Sequence, residues 1–179
     1  MTYLDYANWV PLPAPVTTGT TVQSFIAPDG EVWVAKNGVN SGNWFKARDV
    51  INARATLGTV TPSGVTAIPV TLPATFDVYG GFASTAGYTC PIPGRYQVNM
   101  ILTVNAVPSS NNPFYRIQRN GTDVVTGNYY QQGGTAQSYG FPLSDLLICA
   151  AGDVLRAAVG NTGGTGTGGA FSAAYLGTG

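Results

Sequence analysis

The residues Gly87-Tyr88-Thr89-Cys90-Pro91-Ile92-Pro93-Gly94-Arg95-Tyr96-Gln97-Val98-Asn99-Met100-Ile101-Leu102-Thr103-Val104 decide how the rest of the chain is read. From Arg95 polar and apolar residues alternate, the two-residue period of a strand with one side in a core and the other turned away. Tyr96, Val98, Met100, Leu102 and Val104 are therefore expected inside. Pro91 and Pro93 hold the approach extended, and Gly94 allows a bend that a side chain would block.

The same rhythm continues on both sides of that strand. Segments 65–72, 88–90, 95–105, 114–119, 122–130, 143–149, 154–159 and 169–176 read as strands, and the 24 Gly and 12 Pro supply the turns between them. Eight short strands predict an all-β sandwich. Asn120-Gly121, between two strand-like runs, has the residues that tolerate positive φ at both corners of a type I′ turn. Gly152-Asp153 reads as a turn whose carboxylate accepts hydrogen bonds from nearby amides. The Gly- and Thr-rich stretch 161–169 reads as a loop at one end of the sandwich.

Upstream the character changes. Pro11, Pro13 and Pro15 force an extended path, so residues 1–24 read as an attachment arm, with Tyr3, Tyr6, Trp9 and Val10 as its docking candidates. Turn signals at Pro28-Asp29-Gly30, Asn37-Gly38 and Ser41-Gly42-Asn43 punctuate short apolar runs. Residues 25–58 thus read as a small β-hairpin module and connector, ahead of a jelly-roll domain over 59–179. Within the connector, Ala47, Val50 or Ile51, Arg54 and Leu57 fall at helical spacing with Gly58 as a stop, although a strand suits 46–57 nearly as well.

The run from Gly87 to Val98 resembles the core signature of the globular head of the first complement component, a relative of the tumour necrosis factor jelly roll. Three further pieces match in order: the Asn120-Gly121 hairpin, Leu147-Ile148-Cys149-Ala150-Ala151-Gly152-Asp153-Val154-Leu155, and Phe171-Ser172-Ala173-Ala174-Tyr175-Leu176. Val98 stands where that family usually has an aromatic, and Ala173 near a common closing Gly. The resemblance implies a TNF-like jelly-roll sandwich forming a tight homotrimer, with Tyr88, Tyr96, Val98, Met100, Leu102, Phe171 and Tyr175 in its core and trimer contacts. Residues 30–38 followed by 42–49 are similar to small modules in tail and head-fibre proteins of bacteriophages that infect actinobacteria.

Composition sets limits on function. Only 9% of the residues are charged while 44% are apolar, and no apolar run is long enough to cross a bilayer. Ten Tyr, seven Phe and three Trp suit interfaces between copies, whose centres lose charge and gain aromatics. Eight cations balance eight anions and are scattered singly, which argues against nucleic acid as a partner. Cys90 and Cys149 are too few for a disulfide framework or a structural zinc site in a chain with no His. Buried free thiols are the plainer account of them, a disulfide the other.

Chemistry finds little support. Without His, Cys90 lacks the usual activating base, and the one local acid pair, Asp29 with Glu31, flanks a turn where solvated acids are ordinary. No catalytic, cofactor-binding or metal residue is expected. Trp33 and Trp44, with Asn37, Asn40 and Asn43 nearby, could offer a sugar-stacking face or fill a small core, and Tyr129 and Tyr130 could line an outer tip. The expectation is a non-enzymatic homotrimer on a virion surface, assembled in the host cytoplasm and held by capsid or tail proteins. It would serve as head fibre, decoration or minor tail protein. The rivals are a tail-tip adhesin for host-surface glycan and a secreted lectin-like or signalling domain.

Overall fold

A computed structural model describes residues 22–27, 29–35, 44–61, 65–77, 79–82, 84–107, 113–128, 137–160 and 165–178. The small elements come first: β1 (Gln23–Ile26), β2 (Val32–Ala35), β3 (Phe45–Lys46) and α1 (Ala47–Val50). There follow β4 (Asn52–Leu57), β5 (Thr66–Ala67), β6 (Val70–Asp77), β7 (Tyr88–Thr89) and β8 (Gly94–Val107). The chain then runs through β9 (Phe114–Arg119), β10 (Thr122–Asn128), β11 (Gln137–Cys149), β12 (Val154–Gly160) and β13 (Thr165–Gly177).

Two antiparallel sheets make the sandwich. One has the order β11-β8-β13-β4-β6; the other has the order β10-β9-β12-β5, with β7 also pairing with β12. Strand β8 lies between β11 and β13, and its regular alternation buries Tyr96, Val98, Met100, Leu102 and Val104. Beside them on β13 are Phe171, Ala173 and Tyr175, and the second sheet brings Ile117, Leu155, Ala157 and Val159 to the same core. Pro142 and Pro73 lie on β11 and β6, the two edge strands of the first sheet, where a missing N–H is tolerated.

Two special backbone positions fix the path. Gly94 has φ +149°, and a Cβ there would lie 2.4 Å from the Tyr175 ring and 2.6 Å from the Gly177 carbonyl oxygen. Only glycine allows β8 to start so close to the end of β13. At the β9–β10 corner Asn120 has φ +52° and Gly121 φ +85°, the signs a type I′ hairpin turn demands.

The connector departs from the helical expectation. Only one turn of helix forms, Ala47–Val50, and Asn52–Leu57 is a strand. The reason is period: Ala53, Ala55 and Leu57 are buried while Arg54 and Thr56 are exposed, and β4 has two neighbours to pair with, β13 and β6. Asn52–Leu57, ahead of the expected 58/59 boundary, is the fourth of the five strands in the first sheet. The hairpin module, β1-β2-β3, is a separate three-stranded sheet, and its Val32, Val34 and Ala47 join the same continuous core.

A candidate self-association face

The strands of the first sheet bury one side and present the other. Register places the outward residues in rows across the sheet: Ser144, Asn99, Ser172, Arg54 and Phe76 form one, and Leu146, Gln97, Ala174 and Asn52 the next. A third row holds Pro142, Ile101, Ala170, Thr56 and Thr71. Large apolar side chains are left uncovered here: Ile101 is 55% exposed, Ile148 67% and Phe76 46%. The polar groups between them are neutral and satisfy one another. Gln97 Nε2 donates to Ser144 Oγ at 2.8 Å, and Ser144 Oγ donates to Asn99 Oδ1 at 2.7 Å. A shallow hollow of about 390 Å³ lies at Asn99, Ile101, Pro142 and Ser144.

Ionised groups are sparse on this side. Arg54 lies within the rows and Arg95 at one end, opposite Ile148. A broad surface of isolated isoleucine, leucine and phenylalanine side chains among uncharged amides and hydroxyls has the composition of an interface centre.

The residues expected to serve both core and trimer sit on the wrong side for the second task. Tyr88, Tyr96, Val98, Met100, Leu102, Phe171 and Tyr175 are each no more than 1% exposed within a single chain, so they hold the two sheets together and cannot touch a neighbouring copy. Their rings form a chain: Phe82 to Tyr88 at 5.3 Å, Tyr88 to Tyr96 at 6.1 Å and Tyr96 to Tyr175 at 5.4 Å between centroids. The Tyr96 hydroxyl donates to the Ile92 carbonyl at 2.8 Å. Burial pushes the phenols of Tyr88 and Tyr96 well above the ordinary tyrosine range. The outward residues of the same strands are the ones left exposed, and a signal for them existed: Met100-Ile101-Leu102 and Leu146-Leu147-Ile148 break strict alternation, so each run must expose at least one apolar residue.

Of the two readings left open for the tryptophans, the structure gives Trp44 the small-core one. Trp44 is 6% exposed, with its ring edge-on to Phe25 at 4.9 Å, so it fills the module's core and offers no stacking face. Trp33 is half-buried beneath the Lys46 ammonium, 5.8 Å from its ring centroid. The docking candidates Tyr3, Tyr6, Trp9 and Val10, the tip candidates Tyr129 and Tyr130, and Asn37, Asn40 and Asn43 lie outside the described residues. Cys90 and Cys149 are free and buried. A hydrogen bond with the Cys149 thiol, together with burial, raises the Cys90 pKa and keeps it protonated.

The outward side of the second sheet is built differently. Asp123 pairs with Arg116 and accepts from Gln118 Nε2 at 2.8 Å, and Gln118 Oε1 accepts from Arg156 Nε at 2.9 Å. At the adjoining corner Asp153 accepts from Asn120 Nδ2 at 2.7 Å and from the Ala150 N–H at 2.8 Å, while Asn120 Oδ1 accepts from the Val154 N–H at 2.8 Å. The Asn120 bond first, and the backbone bond second, hold the Asp153 carboxyl below the usual carboxylate range. Among the described residues no group of three or more His, Cys, Asp or Glu could hold a metal ion, and no helix is long and apolar enough to cross a membrane.

No protein-family model matches the chain, and no curated protein does. Solved structures do. The globular domain of zebrafish complement 1qA protein superposes with a TM-score of 0.57 at 12% identity, over 72% of this chain and 98% of that one. Vertex protein P5 of the phage PRD1 gives 0.53 at 17% identity, over 71% and 97%. Murine APRIL gives 0.51 at 11% identity, over 70% and 99%. The fold is therefore the jelly roll of the complement head and tumour necrosis factor type.

Proposed function

We propose that this chain is a non-enzymatic structural protein of a bacteriophage particle, assembled in the host cytoplasm and carried on the virion surface as a homotrimer. The outward side of the β11-β8-β13-β4-β6 sheet supports this reading most directly. A surface holding Ile101, Leu146, Ile148 and Phe76 with so few charges is best stabilised in water when another copy covers it. Three identical chains closing a ring cover it on every subunit and leave no open-ended contact, whereas an unclosed arrangement would grow into fibres. The virion setting is supported by the likeness in fold to a phage vertex protein and by the resemblance of residues 30–49 to phage tail and head-fibre modules. The N-terminal part would dock on capsid or tail, and the jelly roll would project as head fibre, decoration or minor tail protein.

Sedimentation equilibrium at micromolar concentration tests the assembly, with three chain masses as the expected result and a stable single chain as the overturning one. Immunogold labelling of purified particles tests the setting. Gold on intact virions is expected; its absence from them would return the chain to the secreted alternatives.

A further inference from the structure

A second site lies where the hairpin module meets the end of the sandwich. The turn into β2, the one-turn helix α1 and the last residues of β13 enclose a cavity of about 160 Å³, open on one side. Glu31, Arg48, Arg95 and Tyr175 contribute its chemistry. Glu31 Oε1 is 3.1 Å from Arg48 Nη1, which fixes one guanidinium in the wall. Arg95 makes no ion pair among the described residues. Tyr175 is 1% exposed, and its hydroxyl has no hydrogen-bond partner among the described residues. That hydroxyl lies within electrostatic reach of both Arg95 and Glu31, and burial is what raises its pKa most.

A buried phenol without a partner is uncommon enough to require an explanation, because an unmet hydroxyl costs most of its hydration. Around it Arg48 is paired with Glu31 at 3.1 Å and with Asp49 at 3.9 Å, which leaves Arg95 as the wall's guanidinium without an ion pair among the described residues. A monoanion balances this; a dianion would meet Glu31. A carboxylate matches the planar fork of Arg95 and can accept from the Tyr175 hydroxyl at the same time. Glu31 can in turn accept from a hydroxyl beside that carboxylate. The space equals roughly five waters, enough for the acid end of a small ligand whose remainder leaves by the open side.

From this geometry we infer that the cavity binds a carboxylate carried next to hydroxyl groups, the chemistry of a sugar acid. Arg95 and Tyr175 hold the carboxylate and Glu31 reads the neighbouring hydroxyl. The inference stands apart from the virion role: a trimer that binds no sugar acid would sink this site and leave that role intact.

Ligand-detected saturation-transfer NMR on the full chain, in its assembled state, provides the test, with glucuronate and glucose as probes. Glucuronate is expected to bind and glucose to give no signal at the same concentration. Arg95→Gln should weaken glucuronate binding about tenfold or more, the loss of one charge-assisted pair. Tyr175→Phe should weaken it severalfold without lowering the melting temperature, since the ring contact with Tyr96 is kept and no protein hydrogen bond is lost. Equal signals from the two sugars, or unchanged affinity in Arg95→Gln, would overturn the site. So would a lower melting temperature in Tyr175→Phe, which would show that ordered water already serves the hydroxyl. Tighter binding of an N-acetylated aspartate amide than of glucuronate would transfer the site to protein acids and overturn the sugar assignment.

Discussion

The two outward sides of the sandwich are made of the same kind of strand and yet carry opposite chemistry. On the β10-β9-β12 side, Arg116, Asp123, Gln118 and Arg156 form a connected, charge-bearing network suited to solvent. On the β11-β8-β13-β4-β6 side, exposed isoleucine and leucine stand among amides and hydroxyls such as Gln97, Ser144 and Asn99, which bond one another and the Asp145 carbonyl. A chain with so few ionised residues has placed several of them on one side of the sandwich and few on the other, the side proposed above to meet copies of itself. The scarcity of charge is thus a property of a face more than of the whole surface.

The largest effect should come from destroying what both sides share, the core between them. Tyr96→Asp buries a carboxylate among Tyr88, Tyr175 and Cys90, and should cost more than about 4 kcal/mol, enough to abolish cooperative melting. Next in size is a test of the difference between the sides. Ile101→Arg adds a cation to the charge-poor face, beside Pro142 and Ala170, without touching the core. It should convert the proposed trimer to single chains by sedimentation while far-ultraviolet circular dichroism stays unchanged. A variant that remained trimeric would assign the interface to another surface.

How much of this was legible in the chain differs from residue to residue. The inside of β8 was readable because Tyr96 to Val104 carry a strict two-residue period, and the Asn120-Gly121 corner because its backbone angles admit few residue types. The segment 46–57 was ambiguous because Ala47, Ile51, Arg54 and Leu57 fit a helix as well as Ala53, Ala55 and Leu57 fit a strand; pairing with β13 and β6 decided between them, and that is a tertiary contact. The association face was the least legible. Its members come from β11, β8, β13, β4 and β6, five strands spread over more than a hundred residues of sequence, and only register brings Phe76, Arg54, Ser172, Asn99 and Ser144 into one row. Trp44 was open to two readings, sugar platform or filler of a small core, because aromatic type alone does not say which side of a strand a ring takes; its contact with Phe25 does.

A smaller effect is expected on the charged side. Gln118 is 5% exposed and bridges Asp123 to Arg156, so Gln118→Ala removes two side-chain bonds at once. The loss should be about 1 kcal/mol, a fall of ~3 °C in melting temperature, since both partners remain open enough to regain water. The sedimenting mass should not change. If it did, the network would belong to an interface and the distinction between the two sides would fail.

The smallest effect concerns the corner that ties the end of this same sheet, where Asp153 accepts from Asn120 and Ala150. Its carboxyl is held below the ordinary range in the folded chain, so its charge contributes stability in full above the unfolded carboxyl value of about 3.9 and loses it as pH falls through the lower folded value. Solvent screens the site, which keeps the contribution under about 1 kcal/mol. Asp153→Asn should therefore melt slightly below the parent at pH 7, and the gap should close as the pH is taken below about 4, where the parent carboxylate is itself protonated. Urea denaturation of the pair across pH 3 to 7 reads this directly. A gap that persisted undiminished at the acid end would mean that the corner depends on the shape of the aspartate and the bonds any amide could make, and that charge contributes to neither outward side there.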